Sequence, residues 1–356
     1  MKDISHTSPI QPGFSGGLSA ALAMSRSLAA SLVLLPTALL ADSFWDGGGS
    51  ASLWSEAANW SDDVMPSSGN VWIGNGQTSK IPEVNAGTAS APSTLYVGHN
   101  RYGWAGPGSL TVSGGTLQVG GGIAVGVDWK NGAVTQTGGQ VNAGELDLGH
   151  ESNFGSYTIS GGALNAGGHL LLSDAGTSSG LFEVNGSGAT SITASYQLRF
   201  RNGTGELKYV LDAGGVTPIT AARLILSTGA GRILTVDASA YTGPPADIVL
   251  VDYSATGYWD GNPFSAVNLS ANASAVSFGG VLSNRLTVHV VAAVLPATTT
   301  TLVRSSGTGT TSTFGEPLSF DVTVSGAPGS PTGNVSLRDG GPSGAPLGSG
   351  TLSSGA

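Results

Sequence analysis

Four short segments, His99-Asn100, Val127-Asp128, His150-Glu151 and Ser173-Asp174, carry the residue types best suited to chemistry. Each follows a similar apolar lead-in: Val97-Gly98, Val125-Gly126, Leu148-Gly149 and Leu172-Ser173. The lead-ins recur at intervals of 28, 23 and 24 residues, so the polar segments recur in phase. If the elements that carry them stack, these corners gather along one edge. An imidazole nitrogen beside carboxylate oxygens is a ligand set for a divalent ion, and the same groups can serve as general acid and base. Asp128, His150, Glu151 and Asp174 are the candidates for either role. Exposed turns of a repetitive chain are polar in any case, and the residue types hold no fixed pattern from one repeat to the next. The row is therefore read as solvated turns, with no catalytic, cofactor or metal residue assigned. An ion site and catalysis stand as alternatives.

Other chemistry is sparse. Trp45, Trp54, Trp60 and Trp72 crowd one segment, with Trp104 and Trp129 further on. Indole faces could stack on sugars, but a cap needs volume, and a cap core is the preferred reading. Arg199-Phe200-Arg201 reads as outward charge around a buried ring. There is no phosphate-binding loop, no His-Glu-x-x-His and no Gly-Gly-x-Gly-x-Asp calcium repeat. The chain has no cysteine, which excludes disulfides, thiolate catalysis and cysteine-bound metal.

The elements that would position the corners are strands. Ser113-Gly114-Gly115 recurs as Thr137-Gly138-Gly139 and Ser160-Gly161-Gly162, at intervals of 24 and 23 residues. Gln118, Asn142 and Asn165 form another column with the same intervals. Each Gly-Gly follows a β-type run, Ser-Leu-Thr-Val, Ala-Val-Thr-Gln or Ser-Tyr-Thr-Ile, and no unit contains a helical pattern. A period in the low twenties built from short strands and glycine corners predicts one coil of a parallel β-helix per repeat, right-handed as parallel crossovers are. Asn142 and Asn165 are expected at equivalent turns, able to form an amide ladder. The predicted fold is all-β: a right-handed parallel β-helix with β caps, plus a partial immunoglobulin-like sandwich. The boundaries expected are a signal peptide over 1–41, an N-terminal cap and first strands over 42–94, coils over 95–230, a C-terminal β cap over 231–295, and a linker with the partial sandwich over 296–356.

The chain's 356 residues include 57 glycines, only 10% are charged, and the formal net charge is −9. Too little basic charge is present for a nucleic-acid partner. Residues 27–41 form an apolar run after Arg26, interrupted by Pro36 and ending in Ala41 before Asp42. That is the pattern of a secretory leader, with Met1 or Met24 as the start, and no membrane span is expected in the mature chain.

Asp46-Gly47-Gly48, Trp54, Ala58-Asn59-Trp60-Ser61, Pro66 and Val71-Trp72-Ile73-Gly74 resemble the opening of bacterial exported β-helix repeat proteins. Such proteins include autotransporter-type passengers and sorting-signal-bearing surface proteins. The Ser-Gly-Gly-x-Leu corner is similar to their coil repeat, and Val251-Asp252-Tyr253-Ser254 with Phe264-Ser265 resembles their closing segment. Thr298–Leu302, Phe314–Phe320, Val322-Thr323-Val324, Pro331–Val335 and Leu347–Leu352 look like a bacterial immunoglobulin-like repeat, shorter here than its usual form. The resemblance implies a secreted or cell-surface structural or adhesive protein, not an enzyme and without a cofactor, whose partner is an extracellular glycan or surface protein. The alternative is a polysaccharide-acting β-helix enzyme, a lyase or glycoside hydrolase.

Overall fold

The computed structural model describes residues 42–74, 79–100, 106–150, 153–227, 231–254, 264–278, 284–291, 299–306, 317–325, 333–340 and 343–352. The expected leader, Trp104 and Glu151 lie outside these residues, as does part of the immunoglobulin-like resemblance. Among the described residues the chain is all-β, with two short 3-10 turns, and no helix is long and apolar enough to cross a membrane.

The centre is a β-solenoid of about seven turns. Each turn contributes to three parallel ladders. The first runs through Val71–Ile73, Leu95–Val97, Gly122–Val125, Glu145–Leu148, His169–Leu172 and the second half of Ala189–Phe200. The second runs through Gly108–Val112, Gly132–Gln136, Phe154–Ile159, Ser179–Asn185, Thr204–Val210 and Gly231–Asp237. The third runs through Thr88–Ala91, Thr116–Val119, Gln140–Ala143, Gly162–Ala166 and the first half of Ala189–Phe200. Pairing through 110–175 is parallel throughout, as the repeat predicts. Parallel pairing also extends outside 95–230, from Ser43–Phe44 at one end to Ala266–Leu269 at the other.

Strand alternation builds the core. Each inward position repeats in the next coil, giving buried columns such as Leu95-Ile123-Leu146-Leu170-Leu198 and Leu117-Val141-Leu164-Ile192. Burial of that many aliphatic side chains, each worth roughly 1.5–3 kcal/mol, replaces the cross-links a cysteine-free chain lacks. One column is interrupted: Gln136 lies between Val112 and Ile159 and is fully buried. Its amide accepts from Tyr157 Oη at 2.6 Å and donates to the Ala163 carbonyl at 2.9 Å, so the polar group is satisfied.

The Gly-Gly steps lie where the second ladder turns into the third. Gly139 and Gly162 have φ of +66° and +78°. A Cβ on Gly162 would sit 2.2 Å from the Gly139 carbonyl oxygen of the coil before it, so the corner admits no side chain. The amide column falls on strands rather than at turns: Asn142 pairs with Asn165 and with Gln118 in register. The strands resume directly after the second glycine, which moves these residues off the corner onto the outer face. Asn142 Nδ2 donates to Gln118 Oε1 at 3.2 Å, one rung of the expected ladder.

The ends are closed differently. Near the N-terminus, Trp45, Trp54 and Trp60 are buried and meet edge-on, with Trp60 centroids 5.2 Å from Trp45 and 4.7 Å from Trp54. Towards the C-terminus, Ala246–Tyr253, Arg285–Val290 and Ala273–Phe278 form an antiparallel unit that buries Leu286, Val288 and Val290. Residues 299–352 contribute two separate antiparallel hairpins, Thr299–Arg304 with Phe320–Ser325 and Gly333–Arg338 with Pro346–Leu352.

Candidate functional site

The site is a corner of the solenoid between the first and second ladders. The lead-in Val-Gly or Leu-Gly pairs end successive strands of the first ladder in register, with Gly98, Gly126, Gly149 and Ser173 all at positive φ. The chain then bulges outward and returns through a second glycine. A Cβ on Gly149 would lie 2.2 Å from the Ser179 carbonyl, and one on Gly155 2.4 Å from the Gly149 nitrogen. Each bulge is thus pinched at its base. Ser173 occupies the glycine position at φ +58°, its hydroxyl donating to the Leu172 carbonyl at 2.7 Å.

Pinching stacks the bulges and brings two of the sequence candidates together. His150 Nδ1 lies 3.2 Å from Asp174 Oδ2 of the next coil. It also lies 3.0 Å from Oδ2 of Asp147, which the sequence reading did not single out. Asp147 is on the strand Glu145–Leu148, where Leu146 and Leu148 point inward and Asp147 outward between its register neighbours Ala124 and Leu171. It is only 8% exposed, and its Oδ1 is buried without a hydrogen-bond partner. Arg201, read from the sequence as outward charge beside buried Phe200, pairs with Asp174 Oδ1. Asp147, His150 and Asp174 offer ligand atoms all within 4.8 Å of one another. Asp128 is not part of that group. It sits at φ +49° on the preceding bulge beside Trp129, which is 72% exposed at φ +69°. Trp129 therefore departs from the cap-core reading that Trp45, Trp54 and Trp60 follow.

A groove of about 170 Å³ runs along the outer face beside the cluster, lined by Thr94, Tyr96, Gly122, Ala124, Glu145, Asp147 and His150. Small residues at Gly122 and Ala124 leave its floor low. At its N-terminal end Tyr96 stacks on Trp72 with ring centroids 3.9 Å apart, and Trp72 stacks in turn on Phe44. The groove joins a ring face to a row of acceptors and one imidazole.

Gly176-Thr177-Ser178-Ser179-Gly180 has the spacing of a hydrolase nucleophile elbow. Ser178 is 2% exposed, and its hydroxyl is spent within its own turn on Ala175, donating to the carbonyl at 2.7 Å. It closes a bulge and does not present a nucleophile. Gly13–Gly17, with the same spacing, lies outside the described residues.

Comparison with protein families, curated proteins and solved structures gave no match.

Proposed function

We propose that the chain is a secreted or cell-surface structural or adhesive protein, non-catalytic, that presents the lateral surface of a right-handed β-solenoid. Residues 296–356 would supply an immunoglobulin-like spacer or contact module. The observation that carries this reading is the in-register stack itself. Three ladders continue through about seven turns, so outward side chains fall into long straight columns. Such a frame multiplies weak contacts along one direction, which suits an extended partner such as a glycan chain.

One observation favours the rival reading, a polysaccharide lyase or glycoside hydrolase. The groove combines Tyr96, Glu145, Asp147 and His150, a ring face beside potential acids and bases. The purified chain should bind members of a glycan array while releasing no reducing or unsaturated ends from a panel of plant and bacterial polysaccharides. Turnover that disappears in Glu145→Gln or Asp147→Asn would establish the enzyme instead.

A further inference from the structure

We infer that Asp147, His150 and Asp174 form a binding site for a borderline divalent transition ion, with Zn²⁺ the best match, that ties two neighbouring coils together. The first argument is a shortage of protons. Two carboxylate oxygens converge on a single imidazole nitrogen, at 3.0 and 3.2 Å. Nδ1 carries at most one hydrogen, which cannot serve both fully. The second oxygen of Asp147 is buried with no hydrogen-bond partner at all, in a residue nine-tenths removed from solvent. A buried carboxylate oxygen without a partner is costly, and a cation beside it removes the cost.

The spacing fits an ion. Ligand bonds of about 2.0–2.2 Å place neighbouring donor atoms about 2.9–3.5 Å apart in a tetrahedral or octahedral shell. The two separations from His150 lie in that range, and all three donor atoms lie within 4.8 Å of one another. The charge fits as well: Glu145, Asp147 and Asp174 outnumber Arg201, so the corner is net negative before His150 is counted. An imidazole nitrogen among the donors favours Zn²⁺ over Ca²⁺ or Mg²⁺, which take oxygen. Arg201 holds the far oxygen of Asp174 and so orients the near one, the role a supporting residue takes around a metal. His150 is about a third exposed on its side chain, which leaves an entry path and an open position for water or a ligand oxygen.

The test is calorimetric titration of the untagged full chain with ZnCl₂, and separately with MgCl₂, alongside thermal melts. One Zn²⁺ per chain with a raised melting temperature, and no comparable Mg²⁺ response, is expected. Asp147→Asn and Asp174→Asn should each weaken Zn²⁺ binding by at least about tenfold. His150→Gln should abolish it, and His289→Gln, on the closing hairpin where His289 pairs with Asp247, should leave it unchanged. Metal-free circular dichroism of each variant checks the fold. If His150→Gln does not fold, zinc-edge absorption of the wild-type chain takes its place and should show one imidazole among nitrogen and oxygen donors. Absence of Zn²⁺ binding by the wild-type chain, binding that survives His150→Gln, or loss of binding in His289→Gln overturns the inference.

Discussion

Gln136 shows how a single side chain can be polar and still belong to a core. Its amide and the Tyr157 hydroxyl satisfy each other in a site that excludes water, and burial pushes the Tyr157 phenol far above its usual range. Removing one partner strands the other. Tyr157→Phe and Gln136→Leu should each cost about 1–3 kcal/mol in urea unfolding, and the double variant should cost clearly less than the two together. Additive losses would mean the pair is not coupled. Asp212 makes a second residue-scale case. Burial works against its ionisation, but hydrogen bonds from the Ser187 backbone and hydroxyl and from the Gly214 and Gly215 backbones outweigh it, so its pKa is lowered. A lowered folded-state pKa gives stability that is present above the unfolded value of about 3.9 and is lost as pH falls through the folded one. Asp212→Asn should therefore flatten the acid limb of the stability profile, with its cost greatest above about pH 4 and shrinking as pH falls. At this scale the sequence was only half legible. His150 and Asp174 stood out because they follow a repeated lead-in. Asp147 did not, because Glu-Leu-Asp-Leu reads as ordinary alternation on an exposed face. What distinguishes Asp147 is its place three residues before His150, and that matters only once the bulge is pinched.

The strands were far easier to read than the site they carry. A column of like residues recurring every 23 or 24 positions has few explanations, and the parallel registers of Leu117-Val141-Leu164 and Leu146-Leu170 follow from it directly. The position of the amide column was harder, because a one-residue difference in where a strand resumes decides between turn and outer face, and spacing does not encode it. The terminal elements offer a sharper test of energetics. Trp60 is fully buried against Trp45 and Trp54, and its indole nitrogen donates to the Trp54 carbonyl at 2.8 Å. Trp60→Ala should cost about 3–5 kcal/mol. The loss should be local: amides of Val71–Ile73 and Leu95–Val97 should exchange faster, with those of Thr204–Val210 unaffected. Uniform acceleration across all coils would show the cap and coils to be one cooperative unit.

The solenoid is a stack, and a stack is weakest at its two ends. Interior coils are paired on both sides, whereas a terminal coil offers free backbone groups to any other strand. The hairpin that includes Arg285–Val290 covers one such end with Leu286, Val288 and Val290 turned inward. Val288→Lys should loosen that cover and lead to end-to-end association, read as a concentration-dependent rise in mass by sedimentation. A strictly monomeric variant would show that the end is protected by something other than this hairpin. The two hairpins of 299–352 border a cleft of about 350 Å³ lined by Leu318, Phe320, Val322, Val335, Leu337 and Leu347. The sequence pattern identified these strands without fixing how their apolar faces are covered, since alternation specifies which side is apolar and not what meets it.

The pinched bulges have a consequence for how such a surface can change. Between Gly98 and Gly108, Gly126 and Gly132, Gly149 and Gly155, and Ser173 and Gly180, the connecting stretches range from five to nine residues, yet the strands on either side keep their register. The backbone contacts at the base fix where each strand begins, whatever is spelled out beyond them. Closing a somewhat longer loop costs little, only about 0.6 kcal/mol for each doubling of its length. The frame and the lettering on it are therefore separable. Exposed bulge positions such as Trp129 could be rewritten without retuning the core, so the outer surface can drift while the scaffold stays put.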